Sequence, residues 1–527
     1  MHQFEIILAL LVAVVLLGIA ARRLGVPSPV LLVIGGLVIA LLPGLPPVEF
    51  EPQLIFVVFI PPLLYRAALT ASWRDLRANV RPITLLAVGL VVFTTIVVGV
   101  AAHAVAPGLP WAAAFALGAL VSPPDAPAAT AFLRGLVVPR RVATILEGES
   151  LVNDAAAIVA YRMAVAAAVS GAFSIATAAP RFVWVGTAGV AVGLAVGWLI
   201  AWLRRRMHAP EIEATISLLT PFAAFLPAEA LGVSGVLAVV ACGLYLGRQG
   251  PRIVAPDTRV QTEGMWGVVG FVLEGLTFIF VGLELRAVLG TLGAYSVREL
   301  ALAGLAVSFV TIAARVVWVF TATYGPRWVS RHARARGPLA SWRHVALIAW
   351  AGLRGADSLV LALALPFTTT AGAPFPGRDL IIFLTYVVIL VTLLAQGFSL
   401  QPFVSRLGIC DTGETQRLEE AHAREQASAA ALRRLDQLAS GLDGETLTEL
   451  RARYGHRSRR FGARVRAERD GAEERLARER QAAVLELLEA ERRAVISLRD
   501  KGMIGDHVMR RVQRDLDLEA LLLGSRS

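Results

Sequence analysis

Up to Leu407 the chain alternates long apolar runs with short polar, arginine-bearing loops. About thirteen of the runs are long enough, or nearly so, to cross a bilayer as helices: near 4–20, 27–43, 53–70, 80–105, 111–132, 142–169, 181–203, 212–228, 232–247, 260–288, 299–323, 343–366 and 379–400. The pattern predicts an all-α polytopic membrane protein. Arginines concentrate in alternate loops: Arg22 and Arg23, Arg74, Arg77 and Arg81, Arg134, Arg140 and Arg141, Arg204 to Arg206, Arg248, Arg252 and Arg259, and Arg327 to Arg343. The intervening loops carry only Arg181, Arg286, Arg298 and Arg378. Positive loops stay in the cytoplasm, so the N-terminus is expected outside, the segment after the last span inside, and the number of spans odd. The run from Phe4 to Ala20 has no basic stretch before it and no convincing small-residue cleavage site, so it reads as a retained span.

After Leu407 the composition changes to Arg, Glu, Ala and Leu, with opposite charges three to four residues apart and glycine breaks at Gly441, Gly444 and Gly505. The expected organisation is a transmembrane domain over 1–407 and a cytosolic helical tail over 408–527. Whether the tail is a stabilising bundle, a dimer contact or a regulatory module is left open by its sequence. Composition agrees with the membrane reading: 56% of the 527 residues are hydrophobic and the mean hydropathy is +0.64. A net charge of +11 would point to nucleic acid in a soluble chain, but here the arginines sit in loops and tail, so no nucleic-acid partner is expected. Cys242 and Cys410 form no CxxC and no Cys/His cluster, which argues against a zinc site or a disulfide framework.

The chemistry lies in polar residues set inside apolar runs. In the sixth run, Glu147, Ser150 and Asp154 share one helical stripe, and Glu149 and Asn153 the adjoining one. An ionised carboxylate near a bilayer centre costs about 3 kcal/mol or more, so such groups face a partner or an aqueous cavity and mark ion or proton paths. In the fifth run, Ser122-Pro123-Pro124-Asp125-Ala126-Pro127 places three prolines in five residues. A continuous helix is not expected there, and the freed carbonyls could line an ion site. In the twelfth run, Ala351 to Ser358 combines Gly352 and Gly355 with Arg354 and Asp357. Arg354 needs an acid, and Glu149 is the natural one, which leaves Asp154 free to titrate. Glu274 in the tenth run is explained by a salt bridge or a helix contact as readily as by transport.

The segments SPPDAPAA, LEGESLVNDAAAIV, FVLEGLTFIFVGLEL and AGLRGADSLVLALALP, in this order and spacing, resemble the sodium/proton exchanger family of cation:proton antiporters, in the branch with an Asn-Asp pair on the sixth helix. FIPPLLYRAAL and WRDLRANVRPI are similar to its third span and following loop, and IGDHVMRRVQRDLDLE to the tail end of bacterial members. The resemblance covers about residues 4–405. It implies two inverted repeats, two crossing broken helices, a dimerisation domain and a homodimer. It also implies that Asp154 binds Na⁺ or H⁺ in turn, that Asn153 lies beside it, that Asp125 sits at the crossing, that Ser150 is a further oxygen ligand, and that Glu149 pairs with Arg354. Na⁺ would be held by Asp154, Asp125 and Ser150; apart from the resemblance, Glu274 and Asp357 are candidate accessory proton sites on their own chemistry. With Asn in place of a second acid beside Asp154, the resemblance also implies electroneutral one-for-one exchange.

This sequence departs from the family pattern at four places. Pro124 stands where many members have Thr, Pro127 where Val is commoner, and Arg66 where relatives are often acidic or neutral. Asp357 replaces a small apolar residue, three positions from Arg354 on what would be the same helical face, where it would compete with Glu149 for the arginine or add a proton site.

The expected activity is secondary-active antiport of Na⁺, or Li⁺ or K⁺, for H⁺ across the plasma membrane, in pH and sodium homeostasis. A small hard cation takes several oxygen ligands, and a carboxylate with Asn, Ser and backbone carbonyls supplies them. Transported ions are the only small molecules implied, so no cofactor is expected. A K⁺/H⁺ antiporter and a cation channel are the alternatives, although no repeated pore loop is present. A membrane enzyme would need a nucleophile or metal constellation. No HExxH occurs, and His2, His103, His208, His332 and His344 lie at ends or in loops.

Overall fold

The computed structural model describes residues 2–41, 52–133, 136, 138–171, 175–207, 209–291, 296–329, 341–355, 357–409, 414–465, 471–501, 503 and 506–524. Arg134, His208, Arg331, His332, Arg334, Arg336, Ala356 and Cys410 lie outside them. The chain divides into two compact units, Met1–Asp411 and Thr412–Ser527.

In the first unit every apolar run coincides with a helix or with two half-helices. The elements are α1 (His2–Leu24), α2 (Ser28–Leu41), α3 (Pro52–Thr70), the short loop helix α4 (Trp73–Ala78) and α5 (Val80–Val105). Next come the half-helices α6 (Trp111–Leu120) and α7 (Ala126–Phe132), then α8 (Arg140–Ser170), α9 (Ile175–Arg204), α10 (Pro210–Ala230), α11 (Gly235–Ile253), α12 (Pro256–Thr291) and α13 (Val297–Val329). A second half-helix pair, α14 (Trp342–Trp350) and α15 (Asp357–Leu363), precedes α16 (Arg378–Leu407). Among the described residues seven helices are long and apolar enough to cross a membrane, with shorter apolar helices beside them, and no strand is formed apart from one isolated bridge, Thr368 to Pro374.

Apolar side chains cover the outside as well as the inside of this unit. Val12, Leu16 and Ile19 on α1, Trp184 and Trp198 on α9, and Leu302, Leu305 and Phe309 on α13 are all exposed, as lipid-facing surfaces require. Helices therefore gain little by hiding apolar area from lipid and pack instead through close approach. Gly36 of α2 lies against the carbonyl of Ile279, and Gly282 of α12 against that of Val33, so a methyl group at either would collide with backbone.

Both half-helix pairs owe their break to local sequence. Pro123 and Pro124 offer no N–H to continue α6, and Asp125 caps α7 by accepting the amide of Ala128 at 3.2 Å. The second break, described over 351–355, contains Gly352 and Gly355 and is held from outside. A π-helical turn in α16, Thr392–Gly397, brings Thr392 Oγ1 to the amide of Arg354 at 3.1 Å and lets Gln396 Nε2 donate to the carbonyl of Trp350 at 3.1 Å. Backbone groups freed by unwinding are thus satisfied by neighbours, the condition for irregular chain inside an apolar body.

The second unit holds four helices, α17 (Glu414–Leu438), α18 (Gly444–Val465), α19 (Gly471–Asp500) and α20 (Asp506–Gly524). α17 packs on α18, with Arg451 bonded to Asp436 at 2.6 Å and Arg424 over the ring of Phe461. α19 packs on α20, joined by Arg492 and Asp517.

Candidate cation and proton site

The two breaks meet. The amide of Asp125 donates to the carbonyl of Leu353 at 2.8 Å, and Gly355 lies so close to the Asp125 carboxylate that a Cβ there would overlap it. α8 crosses the same point and clamps the first break with two side chains. Asn153 Nδ2 donates to the carbonyl of Pro124 at 2.9 Å, and Ser150 Oγ accepts the amide of Ala126 at 3.4 Å. The Pro124 carbonyl, whose helical donor Ala128 is taken by the Asp125 side chain, is thereby satisfied by an amide from α8.

The stripes along α8 diverge in environment. Glu149 and Asn153 are fully buried, Ser150 and Asp154 are half-buried, and Glu147 is exposed. Asp154 and Asp125 act on each other electrostatically, and no described residue hydrogen-bonds to the Asp154 carboxylate. The Oδ1 of Asn153 is buried and has no hydrogen-bond partner. The crossing therefore presents two carboxylates, a hydroxyl and an orphaned amide oxygen, a donor set of hard oxygens that fits an alkali cation. Among the described residues no group of three or more His, Cys, Asp or Glu is gathered tightly enough to hold a metal ion.

The expected Glu149–Arg354 pair is not formed. Glu149 instead binds Arg315 of α13 through two hydrogen bonds, Nη1 to Oε1 at 2.6 Å and Nη2 to Oε2 at 3.0 Å, and Nη2 also reaches the carbonyl of Ile348 at 2.9 Å. Both side chains are 1% exposed. The reason is reach across the fold: the guanidinium of Arg315 passes directly over Gly352, in space a side chain there would fill, and arrives at Glu149 with the bidentate geometry that arginine favours. Arg354 is buried beside this pair with its Nε and Nη1 unpartnered. Arg315 carries a signal readable in the sequence, since it is a lone guanidinium inside the apolar run 299–323 and such a residue calls for an acid. The contributions of Thr392 and Gln396 carried no such signal.

Asp357 and Arg354 do not share a helical face either, because α15 begins at Asp357 and Arg354 lies in the unwound segment. No ion pair joins them among the described residues. Arg354 faces Arg315 and Glu149 electrostatically, whereas Asp357 acts on Asp125 and Asp154. Glu274 is accounted for by an ion pair to Arg66 at 2.9 Å, with side-chain exposures of 37% and 35%. Arg66 lies over Gly270, one turn before Glu274, where a Cβ would block it.

Two interrupted helices crossing inside an apolar bundle, with acids at the crossing and an Asn-Asp pair on the helix that clamps it, define a secondary transporter of the broken-helix kind. The family described as "Sodium/hydrogen exchanger, transmembrane" matches residues 7–406. An uncharacterised Na⁺/H⁺ exchanger of Mycobacterium tuberculosis is 37% identical, over 98% of this chain and 96% of its own length. A sodium, potassium, lithium and rubidium/H⁺ antiporter of Bacillus pumilus is 36% identical, over 70% of this chain and 56% of its own. The fold is similar to that of the sodium proton antiporter MjNhaP1 from Methanocaldococcus jannaschii, with a TM-score of 0.61 over 77% of this chain and 99% of that one, at 20% identity. The chain belongs to the sodium/hydrogen exchanger family, and it is a multi-pass membrane protein of the transporter class.

Proposed function

We propose that the chain exchanges Na⁺ for H⁺ across the plasma membrane, with Asp154 carrying either ion in turn, and that this serves pH and sodium homeostasis. The observation that carries the reading is the division of labour among the buried acids. Arg315 binds both carboxylate oxygens of Glu149, so Asp154, half-buried at the crossing and without a hydrogen-bond donor among the described residues, is left to take a cation or a proton. Occupation is mutually exclusive because both neutralise the same charge. Asp125, Ser150 and the Oδ1 of Asn153 complete the cation shell, and the Arg315–Glu149 pair is structural. Alternating access moves the crossing between the two sides as one bundle rocks against the other.

The arginine-rich loops support a cytoplasmic tail and an outside N-terminus, and the working assembly is a homodimer in the bilayer. Li⁺ and K⁺ are included as possible cargo, because relatives in Bacillus are named for antiport of sodium, potassium, lithium and rubidium. The test is cation-driven proton movement in proteoliposomes, read with a trapped pH dye for each alkali chloride. Asp154→Asn abolishes it; a variant that exchanges at the normal rate removes the basis of the proposal.

A further inference from the structure

The two breaks are held by the same device. On α8, Ser150 Oγ accepts the amide of Ala126 and Asn153 Nδ2 donates to the carbonyl of Pro124. On α16, Thr392 Oγ1 accepts the amide of Arg354 and Gln396 Nε2 donates to the carbonyl of Trp350. In an unbroken helix the amide of Arg354 would donate to that same carbonyl, four positions back. Thr392 thus takes the donor, and Gln396 the acceptor, of one helical hydrogen bond. The clamps differ in the residue that follows the side-chain amide, which is Asp154 after Asn153 and Gly397 after Gln396. The clamp on α16 therefore brings no carboxylate of its own to the crossing.

What the second clamp holds is the backbone of the first break. Leu353 lies between the two clamped groups and gives its carbonyl to the amide of Asp125 at 2.8 Å, and Gly355 follows against the Asp125 side chain. Thr392 and Gln396 are buried in the π-helical turn of α16, a distortion that recurs at functional sites. The Oε1 of Gln396 is buried with no partner among the described residues, so this amide is kept in an apolar interior at a net cost on its acceptor side. The same stretch of α16 reaches two more neighbours. Ser399 Oγ accepts the indole Nε1 of Trp350 at 2.9 Å, and Gly397 lies against the ring of Phe132, the last residue of α7, in space a Cβ would fill. The end of α14, the second break and the end of α7 are thereby tied to one turn.

We propose, resting on the exchange reading above, that Thr392 and Gln396 are positioning residues of the cation site. By separating the two halves of the Trp350 to Arg354 helical bond they keep the second break open, and the open break holds Asp125 where it shares a cation with Asp154. Neither side chain touches the ion; both act through the Leu353 carbonyl and Gly355. Without either one, donor and acceptor rejoin, the segment rewinds by a turn, and the Leu353 carbonyl turns away from the amide of Asp125. The cation then loses a ligand from its proper place, although every ligand is still present in the chain.

Three variants of the full-length chain test this. Thr392→Val keeps the shape and loses the acceptor, Thr392→Ser keeps the hydroxyl, and Gln396→Met keeps the length and loses the donor. Na⁺-driven proton flux in proteoliposomes, normalised to the monodisperse protein incorporated, gives the half-saturating Na⁺ concentration and the maximal rate separately. Thr392→Val and Gln396→Met raise half-saturation about tenfold, as loss of groups that orient metal ligands does, with the maximal rate within about twofold of wild type. Thr392→Ser restores half-saturation to within about threefold of wild type. A merely structural role lowers the yield of folded protein and leaves half-saturation alone, so an unchanged value in a folded Val or Met variant overturns the proposal. If neither of those variants folds, amide hydrogen exchange of the wild type decides. Saturating NaCl, compared with choline chloride, then slows exchange in peptides spanning Asp125 and in peptides spanning Leu353 together, and slowing of the first alone overturns the proposal. Absence of Na⁺-driven proton flux in the wild type overturns the exchange reading, and the positioning role falls with it.

Discussion

Replacing Arg315 with Met removes one partner of a pair in which both side chains are 1% exposed. Three hydrogen bonds are lost, two to Glu149 and one to the Ile348 carbonyl, and the Glu149 carboxylate is left without its counter-ion. Breaking a buried pair from one side costs about 3–5 kcal/mol, while replacing both partners by apolar residues of similar size is often near neutral. The expected double-mutant cycle therefore has Arg315→Met and Glu149→Met each strongly destabilising, the double variant close to wild type, and a coupling of about 3 kcal/mol or more. The same cycle between Glu149 and Arg354→Met gives less than half of that, because the Nε and Nη1 of Arg354 make no hydrogen bond to lose. Stability is read from the denaturant midpoint of purified protein in detergent, with retention of the monodisperse peak as a check on folding. If Glu149 couples to Arg354 more strongly than to Arg315, or if Arg315→Met unfolds within about 1 kcal/mol of wild type, the assignment of the structural pair is wrong.

Two further substitutions probe the crossing. Asn153→Ala strands the Pro124 carbonyl and costs about 1–3 kcal/mol of stability; it also removes a cation ligand, so the Na⁺ concentration for half-maximal exchange rises about tenfold, equal to about 1.4 kcal/mol of binding. Gly355→Ala forces a methyl group into the Asp125 side chain, and exchange in proteoliposomes falls at least about tenfold because the carboxylate is displaced from productive geometry, with a lower denaturant midpoint from the overpacking, a cost of about 1–3 kcal/mol.

The run of apolar segments was enough to locate the long helices described in the first unit, though not the loop helix α4, because a bilayer tolerates only backbone that satisfies itself and the apolar length needed to cross it is long and conspicuous. The first break was legible, since Pro123 and Pro124 remove donors regardless of what surrounds them, whereas Gly352 and Gly355 only weaken the second segment, where Arg354 and Asp357 were still expected on one helical face. The acids on α8 were legible too, since their spacing alone sorts them into stripes. Which acid meets which arginine was not legible. Arg315 and Arg354 are both guanidiniums inside apolar runs, and each equally demands an acid. Only the path of α13 past Gly352 gives Glu149 to Arg315 and leaves the Nε and Nη1 of Arg354 without a partner among the described residues. The relation between Arg354 and Asp357 was hidden for a related reason: three residues apart means a shared face only while the chain is helical, and Arg354 lies in the break while α15 begins at Asp357. Local sequence determines where this chain is helical and where it cannot be; the pairing of its buried charges is a matter of distance between segments far apart in the chain, and only the packed bundle sets that distance.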